Sequence, residues 1–170
     1  MTEARVVSDE EIKFILDTLL GMTWPIAATE TQDMILRLGW EQLSRSIAKT
    51  NLSVSLTTAS FTPMGGEIAQ IDCYVSDTFG SNEVDGCAVA RRVYPSMVET
   101  ISACLGFEPT GHLWGQEGVK WDLTNGGRVN LPAGLGILLL QVWSPRLADL
   151  ERFEIAHGVS PDSNLDDREV

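Results

Sequence analysis

The apolar positions along this chain change period several times, and each change marks an element. Ile12, Ile15, Leu16, Leu19 and Leu20 recur at helical spacing and predict an amphipathic helix with one stripe facing a core. Ser8 and Glu11 precede the stripe at capping-box spacing, where hydroxyl and carboxylate satisfy two backbone N–H groups, and Gly21 is the predicted stop. Trp24-Pro25 breaks the chain. Thr29 and Gln32 repeat the capping spacing ahead of a shorter stripe, Ile35 and Leu38, which Gly39 closes before Trp40. The first fifty residues therefore read as mostly helical.

The period then falls to two. Leu52, Val54 and Leu56 alternate with Ser53, Ser55 and Thr57, and after Met64-Gly65-Gly66 the alternation returns at Ala69, Ile71, Cys73 and Val75. Residues 51–76 read as an antiparallel hairpin with a somewhat long connection. Asp77 to Gly86 is rich in turn formers and acids, which predicts an exposed loop. Residues 87–94 fit either a third strand or a helix running toward Pro95. Proline is best accommodated in a first helical turn, so the next helix is expected to begin near Pro95, to use Val98, Ile101 and Leu105, and to end at Gly106.

Strands resume after Pro109. Val119, Trp121 and Leu123 alternate with Lys120 and Asp122, and Asn125-Gly126-Gly127 turns the chain into Val129 and Leu131. Ile137 to Trp143 is a nearly continuous apolar run, predicted as a strand buried on both faces. Ser144-Pro145 is an N-cap followed by proline at the first helical position, and Leu147, Leu150 and Phe153 carry the last helix to Gly158.

This order, with short turns between strands, predicts an α+β domain: a mostly antiparallel sheet of five to six strands with helices packed on one face. Residues 1–158 are assigned to one domain and residues 159–170 to a flexible acidic tail.

Composition changes the picture in two ways. With 170 residues, 44% hydrophobic and 21% charged, the chain can build its own core and lies outside the disordered range. Cys73, Cys87 and Cys104 form no C-x-x-C pair and are odd in number, so they read as reduced core residues rather than a disulfide or zinc framework. The polar start of the chain lacks the apolar run of a signal peptide, and a cytoplasmic location is expected. The second change is electrostatic. Against 24 acidic residues stand 12 basic ones, a formal net charge of -12. Such a charge repels nucleic acid and anionic membrane and favours a basic protein partner.

Candidate chemistry is sparse. The only histidines are His112 and His157. His157 precedes a helix-ending glycine and reads as a C-terminal cap. His112 lies beside the strand bearing Lys120 and Asp122, but alternation places those two opposite Trp121, on a predicted solvated face. Gly126-Gly127 and Gly134-Leu135-Gly136 match no phosphate-loop spacing. Asp77, Glu83 and Asp85 lack the order of a calcium loop, and no metal or cofactor is expected. Between Lys49 and Arg91 there is no basic residue, while Glu67, Asp72, Asp77, Glu83 and Asp85 are all acidic. Asp72, Asp77, Glu83 and Asp85, with Phe79 as an apolar anchor, form the candidate partner-binding surface.

The segments Gly118 to Val129 and Ser144 to Arg152, together with Leu38-Gly39-Trp40, resemble a family of small uncharacterised actinobacterial proteins. The matching motifs are a hairpin turn and a capped helix, so the resemblance carries no catalytic residues. Size and acidity are similar to those of immunity proteins that block secreted toxins. The expected function is therefore an immunity or antitoxin-like protein that occludes a basic partner domain. A secretion chaperone is the alternative, and a small-molecule enzyme using His112 the lesser one.

Overall fold

A computed structural model describes residues 4–80 and 82–161. Helix α1 (Asp9–Leu20) forms as its stripe predicts, and both halves of its capping box are present: the Glu11 N–H donates to Ser8 Oγ (3.2 Å) and the Ser8 N–H to Glu11 Oε1 (3.0 Å). The same carboxylate accepts from the Ser53 backbone (2.9 Å) and hydroxyl (2.6 Å). This contact overturns the strand expected at 52–56. The N–H groups of Ser53 and Ser55 donate to the side chains of Glu11 and Asp77, so they enter no ladder, although Leu52 and Val54 are buried as the alternation requires.

Helix α2 (Thr31–Arg37) follows a single 3₁₀ turn, Ala28–Glu30. The expected Thr29–Gln32 cap is not used; Glu30 accepts from the Ala27 N–H instead (3.2 Å). The residues after α2 are not helical. They form β1 (Glu41–Gln42) and β2 (Ile47–Lys49), which pair with each other. The true hairpin is β3 (Thr58–Met64) against β4 (Glu67–Tyr74), and its connection is tight rather than long. Gly65 and Gly66 both have positive φ, +59° and +80°, the geometry that a two-residue turn between right-twisted strands requires.

Residues 87–94 are helical. Helix α3 runs unbroken from Glu83 to Leu105, capped by Asn82, whose Oδ1 accepts from the Asp85 N–H (2.9 Å). It does not start at Pro95 but passes through it. Pro95 lies on the exposed side of the helix, where water can satisfy the carbonyl that its missing N–H leaves open. The α3 start is also tied down by close packing, since a Cβ on Gly86 would meet the Phe79 carbonyl at 2.3 Å.

Strands β5 (Gly111–His112), β6 (Gly118–Asp122), β7 (Arg128–Pro132) and β8 (Leu139–Trp143) complete one sheet, and helix α4 (Pro145–Ala156) ends the described fold. The sheet is antiparallel throughout, in the order β1-β2-β3-β4-β8-β7-β6-β5. It has eight strands rather than five to six, because β1, β2 and β5 are two or three residues long and too short to display a period.

The two sheet faces differ. Phe61, Ile71, Leu140, Val142, Val129 and Trp121 line one face, with buried side chains of α1, α2 and α3 in the same core. Trp121 is completely buried and its Nε1 donates to Ser102 of α3 (3.2 Å). The next residues along these strands, Asp72, Gln141, Asn130 and Arg128, point the other way. Helix α4 lies on that face, held by Glu151 to Arg128, so helices cover both faces and not one. Strand β8 is correspondingly buried on its Leu140 and Val142 side and half-buried on the other. After α4, the Val159 N–H donates to the Glu154 carbonyl (2.9 Å) and Pro161 abuts Gly115. The remainder of the predicted tail, 162–170, lies outside the described residues.

Candidate partner-binding surface

The structure does not gather the five predicted contact residues into one patch. Phe79, expected as an exposed anchor, is 2% exposed and belongs to the core, with its N–H donating to the Gly136 carbonyl (2.8 Å). Asp77 is a clasp for the N-terminal segment. Its carboxylate accepts from the Arg5 N–H (2.9 Å), Arg5 Nε (3.3 Å) and the Ser55 N–H (2.6 Å). The Arg5 and Ser55 backbone bonds hold its pKa down to about 2.

Asp72 projects from β4 on the sheet face opposite α3. It accepts from Gln70 Nε2 (2.9 Å) and Ser60 Oγ (3.4 Å), and burial pushes its carboxyl pKa up despite these bonds and that of Gln141. Only Glu83 and Asp85 fall together, on the first turn of α3. Both are exposed, and Val84 between them is 79% exposed. Acids in that turn also complement the helix dipole, and Asp85 accepts from Asn82 Nδ2 (2.9 Å).

A second polar constellation was not recognised from the sequence. Arg128 is 1% exposed at the start of β7, its guanidinium bonded to Asp122 through Nε (3.2 Å) and to Glu151 through Nη1, with the Trp143 ring centroid at 5.4 Å and its Nη2 without a partner among the described residues. Asp122 also meets Lys120 (3.5 Å), Arg152 (3.3 Å) and the Thr110 hydroxyl (2.8 Å). Burial opposes its ionisation, but the Thr110 bond and the Lys120 and Arg128 cations outweigh it and keep Asp122 below the ordinary carboxylate range. Asn130 beside them is completely buried, and the amide orientation that satisfies its surroundings accepts from Trp143 Nε1 at 3.3 Å. The face predicted as solvated is thus a half-buried polar network under α4. The signal was partial: Arg128 sits next to Val129 on an alternating strand, which places it on the face opposite the core.

Helix α4 buries only Ala148, while Leu150 (43%), Phe153 (58%) and Ile155 (46%) are exposed. Its apolar periodicity had placed Leu150 and Phe153 inward. The docking side is set by the ion pairs instead, and Phe153 stacks on His157 (3.9 Å). His157 caps the helix, with Nδ1 2.8 Å from the Phe153 carbonyl.

The remaining reactive groups have structural surroundings. Cys73 is buried, and burial together with neighbouring Asp72 pushes its thiol up to about 12, which suppresses thiolate formation. The Cys87 thiol donates to the Gly134 carbonyl (3.3 Å). His112 is exposed on the two-residue edge strand β5. No described helix is long and apolar enough to cross a membrane.

A family model, DUF6301, described as a family of unknown function, matches residues 10–144 and so ends just before α4. No curated protein and no solved structure shows significant similarity to the chain.

Proposed function

This chain belongs to DUF6301, a family of unknown function, and from that premise we propose that it is a non-enzymatic, immunity-like protein that binds a basic protein domain and occludes its cleft. The supporting observation is the first turn of α3, where exposed Glu83 and Asp85 flank Val84, the most exposed large apolar side chain among the described residues, in a chain of net charge -12. The acids steer a cationic partner into encounter, and Val84 gives the encounter an apolar contact once water is displaced. A pull-down from native lysate at low and high salt, followed by association kinetics with the retained protein, tests this reading. One basic partner released by salt is expected, and Glu83→Gln with Asp85→Asn slows its association about ten-fold and flattens its salt dependence. Unchanged kinetics in that double variant reject the surface.

A second reading, a secretion chaperone, draws support from α4, whose Leu150, Phe153 and Ile155 are exposed. Chaperones of this size act as dimers that shelter apolar segments of their clients. Sedimentation velocity separates the two: a stable homodimer dissociated by Phe153→Asp favours the chaperone, and a monomer at high concentration favours the immunity-like protein. The exposure of His112 gives the enzyme reading no support.

A further inference from the structure

A groove of about 430 Å³ lies between the 3₁₀ turn before α2, the β1–β2 hairpin and the β3–β4 hairpin, and its lining includes no residue of α3 or α4. Its apolar side is the exposed Pro63 above Phe61 and Ile68, which are 2% and 1% exposed and reach it only as a floor, and the rim carries Gln32, Gln42 and Arg45. From this lining we propose that the groove binds a small organic monoanion: a carboxylate on an aromatic or short acyl body.

Three observations carry the assignment. The first is charge. Although the chain has 24 acidic residues, none of the described ones lines this groove, whereas two other hollows include Asp9 and Glu10, or Glu30 and Asp33. Arg45 stands at its rim and makes no ion pair within 4 Å among the described residues, so its donors are available to a ligand. A cation would meet only repulsion from Arg45, and a neutral body would leave the guanidinium unused. The second is shape. The volume falls within the range of small-molecule sites, whose usual build is an apolar wall with a few polar groups at the mouth.

The third is pre-organisation. The β3–β4 hairpin is joined to both other walls by backbone hydrogen bonds: Ala28 N–H to the Gly66 carbonyl and Ile68 N–H to the Ile26 carbonyl on one side, and Phe61 N–H to the Ser46 carbonyl on the other, all 2.8 Å. The hairpin that carries Arg45 is closed by the Leu43 and Ser44 N–H groups, which share the Ile47 carbonyl (2.9 and 3.1 Å). The groove therefore need not be formed by its ligand, and little ordering cost is added on binding. Because the net charge of the chain repels anions at long range, any anion retained here must be held by local contacts.

The test uses the intact protein, labelled with ¹⁵N, titrated with benzoate and in parallel with benzamide, its neutral counterpart of nearly the same shape. Benzoate is expected to produce saturable shifts centred on the amides of Gln32, Gln42, Ser46 and Ile68. Benzamide, and benzoate against Arg45→Gln, are each expected to bind about five-fold more weakly, the upper end for a solvent-exposed ion pair. Arg45→Lys, which keeps the charge, should recover part of the difference. Arg45 lies on an exposed turn, so both variants are expected to keep the wild-type spectrum elsewhere. Shifts that fail to saturate, that map outside the groove, or that are equal for benzoate and benzamide overturn the assignment, as does unaltered benzoate binding by Arg45→Gln.

Discussion

The two faces of the sheet are separated by one residue along each strand, yet they hold their helices by different physics. On one face Val129 and Trp121 meet α1 and α3, and α1 alone contributes Ile12, Ile15, Leu16 and Leu19 to the core. On the other, Arg128 and Asp122 meet α4, whose only buried residue is Ala148. Apolar docking gains free energy in proportion to the area removed from water and is not screened by salt. Docking through ion pairs must first offset the desolvation of each charge, so its net contribution is small while its dependence on complete pairing is large. Helix α4 is therefore positioned by its charged partners more than it is stabilised by them.

Removing Trp121 is the severest way to break the apolar side. Trp121→Ala deletes a completely buried side chain and leaves Ser102 without its indole partner, and a loss of about 3–5 kcal/mol is expected in urea unfolding. On the polar side, Arg128→Ala strands Glu151, 12% exposed, and should cost about 3 kcal/mol. The sharper test is the pair. Arg128→Met with Glu151→Leu replaces both charges by apolar groups and is expected to recover most of that loss; a double variant as unstable as the single one would show that the ion pair itself stabilises the fold.

Two carboxylates extend the contrast to pH. The Asp77 carboxyl has a folded pKa of about 2 against an ordinary 3.8, so the folded state binds its proton less tightly than the unfolded chain. Its contribution is complete above the ordinary value and is lost as pH falls from about 4 toward about 2. Asp77→Asn should cost about 1 kcal/mol at neutral pH, through weaker acceptance from the Arg5 and Ser55 N–H groups, and should flatten the acid limb of the stability curve. Asp72 has the opposite sign. Burial raises its folded pKa, so the folded state favours the proton, and stability declines as pH rises through that raised value. Asp72→Asn is expected to be the mildest change, within about 0.5 kcal/mol of wild type at neutral pH or slightly more stable, because Gln70, Gln141 and Ser60 can still bond an amide. Thermal melts across the acid range check both.

Elements whose instructions are local were legible in advance. The α1 capping box, the Gly65-Gly66 and Asn125-Gly126-Gly127 turns, the alternation of β4, β6 and β7 and the Ser144-Pro145 start of α4 all appear where residue pattern placed them. Errors arose where a distant group competed for the backbone. The serines at 53 and 55 alternate like a strand, but Glu11 and Asp77 occupy their N–H groups. Of the candidate surface, Glu83 and Asp85 remain neighbours through their two-residue spacing, although they stand on the first turn of α3 and not in the loop expected over 77–86. Phe79 and Asp72 were not legible, because only packing decides that one enters the core and the other faces away from α3. By itself the sequence determined the charge, the periods and the local caps and turns, since these depend on residues a few positions apart. Tertiary structure alone decided which face each strand presents, that α3 continues through Pro95, and that Arg128 is buried under α4. Those outcomes rest on contacts between residues far apart in the chain, whose energies no local pattern contains.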